Sequence, residues 1–296
     1  MHPWTLSGRW HMTRRNDAGL RRSAARKAAM RAKGAEGIFM HYRLKYIPAP
    51  QGNFREMHVV KRKTIYHLTK NLRDRVDAFI MRFSLLPDQA LFDPHIMQWT
   101  RDLERNWERI RDEALQMAAT DIPSLGDISP DHGRIAADRR WHSFFLEGYG
   151  YRRRENRARV PTTAALIDRI PNLCTASFSV LEAGCHIPRH RGMTKGMLTY
   201  HLALHVPADR ENCWIQFEEG ERLHVCPWTA GKSILFDDTY NHEVWNNTTD
   251  TRYVLLIQVR RPCRWPARLL MDVFFLGVRY SRFVQDIRKN LDKRQP

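Results

Sequence analysis

No stretch of this 296-residue sequence approaches the roughly 20 consecutive apolar residues that a membrane-crossing helix needs. The N-terminus is basic but lacks the apolar core of a secretory signal. Cysteine is scarce and odd in number: five residues, with no C-x-x-C pair. That excludes a zinc-ribbon frame and a fully paired disulfide scaffold, and leads us to expect reduced thiols and a cytoplasmic location. There is no internal repeat, and no low-complexity tract beyond an Arg/Ala-rich start.

What the chain has in excess is positive charge, 49 Lys/Arg against 32 Asp/Glu, a net +17. The excess is confined to the flanks. Residues 1–63 hold 15 basic and 3 acidic side chains, and residues 260–296 hold 10 and 3, which leaves the centre at −2. A nucleic-acid-binding domain would carry its charge on a folded face, so nucleic acid is not an expected partner. Polybasic flanks suit peripheral contact with an anionic membrane surface, such as the inner face of the cytoplasmic membrane, at about 1 kcal/mol per Lys/Arg. They suit solvated tails equally well.

The texture divides the chain into four parts. Residues 1–63 read as a basic arm, partly disordered. Residues 64–138 read as a helical region packing on the core, and within it Ile96, Trp99, Leu103, Trp107, Ile110 and Leu115 recur near a 3.6 period, predicting a helix over 94–118. From about 139 to 262, short β-rich segments alternate with Gly, Pro, Asn and Asp turns: 141–146, 175–181, 198–206, 213–218, 232–236, 242–245 and 252–259. Many short strands at this spacing predict a mainly β sandwich or barrel, and a double-stranded β-helix (jelly roll, cupin-like) fits. Residues 263–296 form a basic tail in which 267–291 read as one amphipathic helix. It can pack on the jelly roll or face a membrane.

Fourteen histidines are scattered through the chain, so position matters more than presence. His190 lies in a turn-rich loop, HIPRHRG, and His242 opens the 242–245 strand. Two imidazoles on separate jelly-roll strands suit an open transition-metal site. Non-haem iron oxygenases usually add a carboxylate two residues after the first histidine, but here that residue is Gly192. Read alone, this either removes the metal or leaves a two-histidine site with an extra open position. A rival pair, His186 with His190, is poorly placed for a helix because Pro188 intervenes. Asp237 and Asp238 beside His242 read mainly as turn residues. Arg252 opens an apolar strand, where it serves either a bidentate carboxylate or an exposed strand end. Alternation in LTYHLALHV puts Thr199, His201, Ala203 and His205 on one face.

The stretches FSVLEAGCHIPRHRGMTKGMLTYHLALHVP and WTAGKSILFDDTYNHEVWNNTTDTRYVLLIQVRRP, with NWERIRDEAL and WHSFFLEGYGYRRRENRARVPTTAALIDRIPNL upstream, closely resemble the aspartyl/asparaginyl β-hydroxylase domain over about residues 100–262. The RRP and the basic, apolar C-terminal segment look more like the bacterial lipid A hydroxylase branch than the animal enzyme. The resemblance implies a double-stranded β-helix dioxygenase using Fe(II), 2-oxoglutarate and O2 to hydroxylate an unactivated C–H. It matches His190 and His242 to the iron ligands and Gly192 to the family's glycine. Ser179 and Arg252 match the residues that take the distal carboxylate, His201 the strand histidine beside the other carboxylate, and Trp141 the pocket tryptophan. Thr199 departs from the family's arginine in that pocket, which implies either a lower cosubstrate affinity or compensation by Arg189, Arg191 or Lys195. The implied substrate is a lipid A acyl chain. The alternatives are a peptidyl Asp/Asn/Pro substrate, or an inactive cupin-like protein binding a membrane or nucleic acid.

Overall fold

The computed structural model describes residues 72–117 and 122–293. The basic arm expected over 1–63 lies outside the described residues. In chain order the elements are helix α1 (72–82), strand β1 (Leu91–Phe92), α2 (Thr100–Arg105), α3 (Trp107–Leu115), α4 (Leu125–Ile128), β2 (Trp141–Gly148) and β3 (Tyr151–Arg152). There follow α5 (Arg154–Arg159), α6 (Pro161–Ile167), β4 (Leu173–Leu181), β5 (His186–His190), β6 (Met197–His205), β7 (Cys213–Glu219) and β8 (Arg222–Pro227). The chain continues through β9 (Ser233–Phe236), β10 (His242–Asn246), β11 (Arg252–Arg260), α7 (Trp265–Tyr280) and α8 (Arg282–Asp292).

Two antiparallel sheets form the expected jelly roll. The larger has the order β1-β9-β6-β11-β4-β2-β3, and the smaller β5-β10-β7-β8. Side chains alternate across each strand of the large sheet. Phe144, Phe178, Tyr200, Leu202, Leu255 and Ile257 pack against Trp99, Leu103 and Ile110 of the helical layer. The opposite face turns toward the small sheet, and Leu181, Ala203 and Val254 meet Ile187, Ile215 and Val244 there.

All seven strands expected from the sequence are present within a residue or two at either end. The helices differ from expectation. The span 94–118 is a 3-10 turn and two helices broken at Asn106, whose side-chain amide donates to the Asp102 carbonyl. Ile96, in the 3-10 turn, is exposed, and after the break Leu115 is exposed while Ala114 and Met117 are buried. The single C-terminal helix is likewise two, because Ser281 is extended (φ −66°, ψ 157°) and its hydroxyl donates to the Val278 carbonyl.

Two buried polar contacts tie layers together. Glu113 on α3 accepts from the Thr162 and Thr163 amides and the Thr163 hydroxyl, capping the start of α6. Arg261, fully buried, donates to the Lys195 and Pro87 carbonyls and pairs with the buried Asp237 carboxylate. Removing one partner of such a pair strands the other charge in a low dielectric. Arg261→Met is expected to lower unfolding free energy by about 3–5 kcal/mol in urea titration. A loss under about 1 kcal/mol would mean that Lys195 alone neutralises Asp237.

Candidate active site

Between the sheets lies a cavity of about 760 Å³. Its floor is the inward face of the large sheet, where small polar residues replace large apolar ones: Ser143 on β2, Thr175, Ser177 and Ser179 on β4, Thr199 on β6 and Gln258 on β11. Small side chains cannot fill the space between two sheets about 10 Å apart, so the space stays open. The apolar wall includes Leu125, Ile135, Phe145, Met197, Phe283 and Ile287.

His190 and His242 meet on the small sheet. They are direct cross-strand partners on β5 and β10, with ring centroids 4.1 Å apart and planes at 54°. The region of His190 is therefore a strand, not the expected loop. Pro188 obscured it, but β5 is a sheet edge, where a residue without an N–H costs no ladder bond. Each ring is held the same way. His190 Nδ1 donates to the Pro188 carbonyl and His242 Nδ1 to the Tyr240 carbonyl, both at 2.9 Å. A proton on Nδ1 leaves the lone pair on Nε2, the form that ligates metals. Burial, with the neighbouring His242 second, pushes His190 down to about 4; burial also lowers His242. Both imidazoles are thus neutral at physiological pH. His186 stands apart: it stacks on Trp245 at 3.4 Å between centroids, and a register shift separates it from His190.

Across the cavity Arg252 is buried, and burial lowers its pKa to about 10. No carboxylate of the described residues forms an ion pair with it, and its Nε has no hydrogen-bond partner. Its guanidinium lies 4.5 Å from the Trp228 ring, a contact weaker than an ion pair. The exposed strand-end reading of Arg252 is therefore excluded. Trp141 Nε1 donates to Ser179 Oγ at 2.9 Å, so these two act as a unit. His201 is buried beside Arg252, and its Nδ1 is also unpartnered. Desolvation, then the Arg252 charge, hold His201 well below its ordinary pKa.

The two acids after Phe236 separate. Asp237 is the turn residue, accepting from the Thr239 amide and hydroxyl. Asp238, read from sequence as a turn residue too, lines the cavity instead. Its Oδ2 accepts from Thr199 Oγ1 at 3.1 Å and Gln258 Nε2 at 3.2 Å, while Oδ1 is buried without a partner. A Cβ on residue 192 would sit 1.9 Å from that Oδ1. Gly192 is thus required sterically, and the Asp238 carboxylate fills the space a side chain there would take. Burial, then the Asp237 charge, raise Asp238 to about 7. Of the residues expected to compensate for Thr199, Lys195 is engaged by Asp88 and Asp237, and Arg189 by Glu218. Arg73, absent from the sequence reading, donates to the Gly192 carbonyl at 2.6 Å and lines the same cavity. No sequence pattern signalled it, since it lies 119 residues away.

Two sheets enclose a cavity with paired imidazoles on one side and an unpaired guanidinium on the other, a jelly-roll domain with one polar chamber. The comparisons with known proteins supply its class. The family model for aspartyl/asparaginyl β-hydroxylase matches residues 104–262, and the chain belongs to that family. An ornithine lipid ester-linked acyl 2-hydroxylase of Rhizobium tropici is 36% identical over 192 residues, 64% of this chain and 67% of its own. The human aspartyl/asparaginyl β-hydroxylase is 32% identical over 168 residues, 55% of this chain but 21% of its own length. Among solved structures, a Pseudomonas putida prolyl-4-hydroxylase aligns at 18% identity with a TM-score of 0.33, over 59% of this chain and 90% of its own.

A buried charge without a partner costs free energy that an apolar residue of similar length would not. Arg252→Met is expected to unfold at the same or a higher urea concentration than the wild type when no ligand is added. A large destabilisation without ligand would show that Arg252 already has a structural partner.

Proposed function

We propose that this chain is an Fe(II)- and 2-oxoglutarate-dependent dioxygenase that hydroxylates an acyl chain of a lipid. The observation that carries the reading is the pair of neutral, Nδ1-anchored imidazoles in cross-strand register, facing the same cavity as the carboxylate-free guanidinium of Arg252. The residues fit the groups in question. Two Nε2 lone pairs suit a ferrous ion, and an orphaned buried Arg Nε and an orphaned His201 Nδ1 suit a dicarboxylate. Bound there, iron with 2-oxoglutarate and O2 supplies the oxidation of an unactivated C–H bond.

The protein's own residues supply order. The Pro188 and Tyr240 carbonyls fix the tautomer and tilt of the two ligand rings. Arg252, with Ser179 and Trp141 beside it, holds the distal carboxylate in a dry pocket. Asp238 holds its carboxylate at the face left open by Gly192, and Thr199 and Gln258 orient it. Thr199 spends its hydroxyl on Asp238 and brings no charge, so cosubstrate binding rests on Arg252 more heavily than in relatives with an arginine at that position.

The substrate reading rests on the cavity's apolar wall and on the acyl hydroxylase among the relatives. A peptidyl substrate is the second reading, favoured by Arg134 and Arg191 along the same cavity, which suit an acidic side chain as well as a phosphate.

His190→Ala and His242→Ala are each expected to abolish succinate release from 2-oxoglutarate and to lower Fe(II) binding measured anaerobically. Full turnover in both variants would remove the iron from this site. Arg252→Ala should raise the 2-oxoglutarate concentration for half-maximal rate by about 100-fold or more, and an unchanged requirement would remove Arg252 from cosubstrate binding. Lipid mass spectrometry of cells with and without the gene separates the two substrate readings: loss of a hydroxylated acyl species supports the lipid, and an unaltered lipid profile the peptide.

A further inference from the structure

Helix α7 has two apolar faces, and among the described residues only one of them is covered. Ala267, Met271 and Phe275 are buried against Ile80, Cys174 and Met197. On the other side Trp265, Leu269, Val273, Leu276 and Tyr280 are 57–72% exposed. At 3.6 residues per turn these five fall within one arc of about 80°. Single exposed apolar residues are ordinary on protein surfaces, whereas a continuous stripe of five marks a surface that binds something. Along the border lie the exposed Arg264 and Arg268, with the exposed Arg282 just past the other end, while Arg279 packs over the Tyr151 ring. The one acid of the helix, Asp272, is paired with Arg260.

We propose that α7 lies flat in the interface of an anionic lipid membrane, with the stripe from Trp265 to Tyr280 among the acyl chains and the bordering arginines among the phosphates. At 16 residues the helix is about 24 Å long. No helix among the described residues is long and apolar enough to cross a membrane, but an amphipathic helix with a basic border is suited to lie on one. Its stripe begins with Trp and ends with Tyr, the side chains that favour the headgroup boundary. Residues 260–296 carry ten basic against three acidic side chains, complementary to an anionic surface. A second copy fits less well: both ends of the stripe are arginine-bordered, so pairing in either direction sets like charges together. The last turn also adjoins the cavity, which Val278 and Ser281 help to line, so a lipid leaving the acyl layer would enter there. The proposal goes beyond the hydroxylation reading and does not require it.

The test is co-sedimentation of the full chain with phosphatidylcholine vesicles, with or without phosphatidylglycerol, at physiological salt and without metal or 2-oxoglutarate. Wild-type protein is expected to bind the phosphatidylglycerol vesicles. Leu269→Glu/Leu276→Glu is expected to bind them at least about tenfold more weakly with unaltered thermal melting. If that pair fails to fold, Trp265→Ala/Tyr280→Ala decides by the same measure. A wild-type chain that ignores anionic vesicles overturns the proposal. So does a folded stripe variant that binds as the wild type does, which would place membrane contact elsewhere on the chain. Conversion of a wild-type dimer to a monomer by the stripe substitutions, with vesicle binding intact, assigns the face to a second copy instead.

Discussion

The constraint on which the site depends is the division of the large sheet into two unlike faces. Outward, β2, β4, β6 and β11 present large apolar side chains to the helices. Inward, the same strands present serine, threonine, glutamine and a few larger anchors. Helix packing holds the outer face firmly, so the inner face need not be filled to keep the sheet in place. The outer face is packed along its length, whereas the inner face is packed only around Leu181, Ala203 and Val254 and leaves a hole beside them.

That hole changes the meaning of every polar group along it. In water Arg252 would be an ordinary cation. Between the sheets it is a desolvated charge with an unmet donor. The adjacent acids show the opposite arrangement. Asp237 is neutralised twice, by Arg261 and Lys195, and locks the turn that leads into β10. Asp238, one residue on, has only neutral donors on one oxygen and none on the other. One dipeptide thus supplies a structural anchor and a group held ready in the cavity.

Much of this is legible in the sequence, and unevenly so. The strands are, because short β-rich segments bounded by Gly, Pro, Asn and Asp turns mark each of β2, β4, β6, β7, β9, β10 and β11. Strand β5 is not, since Pro188 within HIPRH looks like a loop and only an edge position makes it acceptable in a sheet. Helix breaks at Asn106 and Ser281 are also hidden, because periodicity tolerates a small phase change that the backbone does not. Family likeness singles out His190, His242, Arg252, Ser179, His201 and Trp141, and the fold gathers all six around one cavity. Asp238 and Arg73 are missed for different reasons. An acid in an FDDT turn has an adequate local explanation, and an arginine on a distant helix leaves no local trace at all.

The cavity is finished by segments from far apart in the polymer. Arg73, on the first described helix, reaches the Gly192 carbonyl, and Phe283 and Ile287, on the last, close the apolar wall. Ribosomes extend a chain at about 5–20 residues per second, so the two sheets emerge and can pair well before α8 leaves the exit tunnel. A nascent polypeptide would hold both imidazoles on a paired β5–β10 ladder while the chamber beside them still lacked a side. Competence to retain a ligand would then depend on α8 docking onto sheets that have already paired.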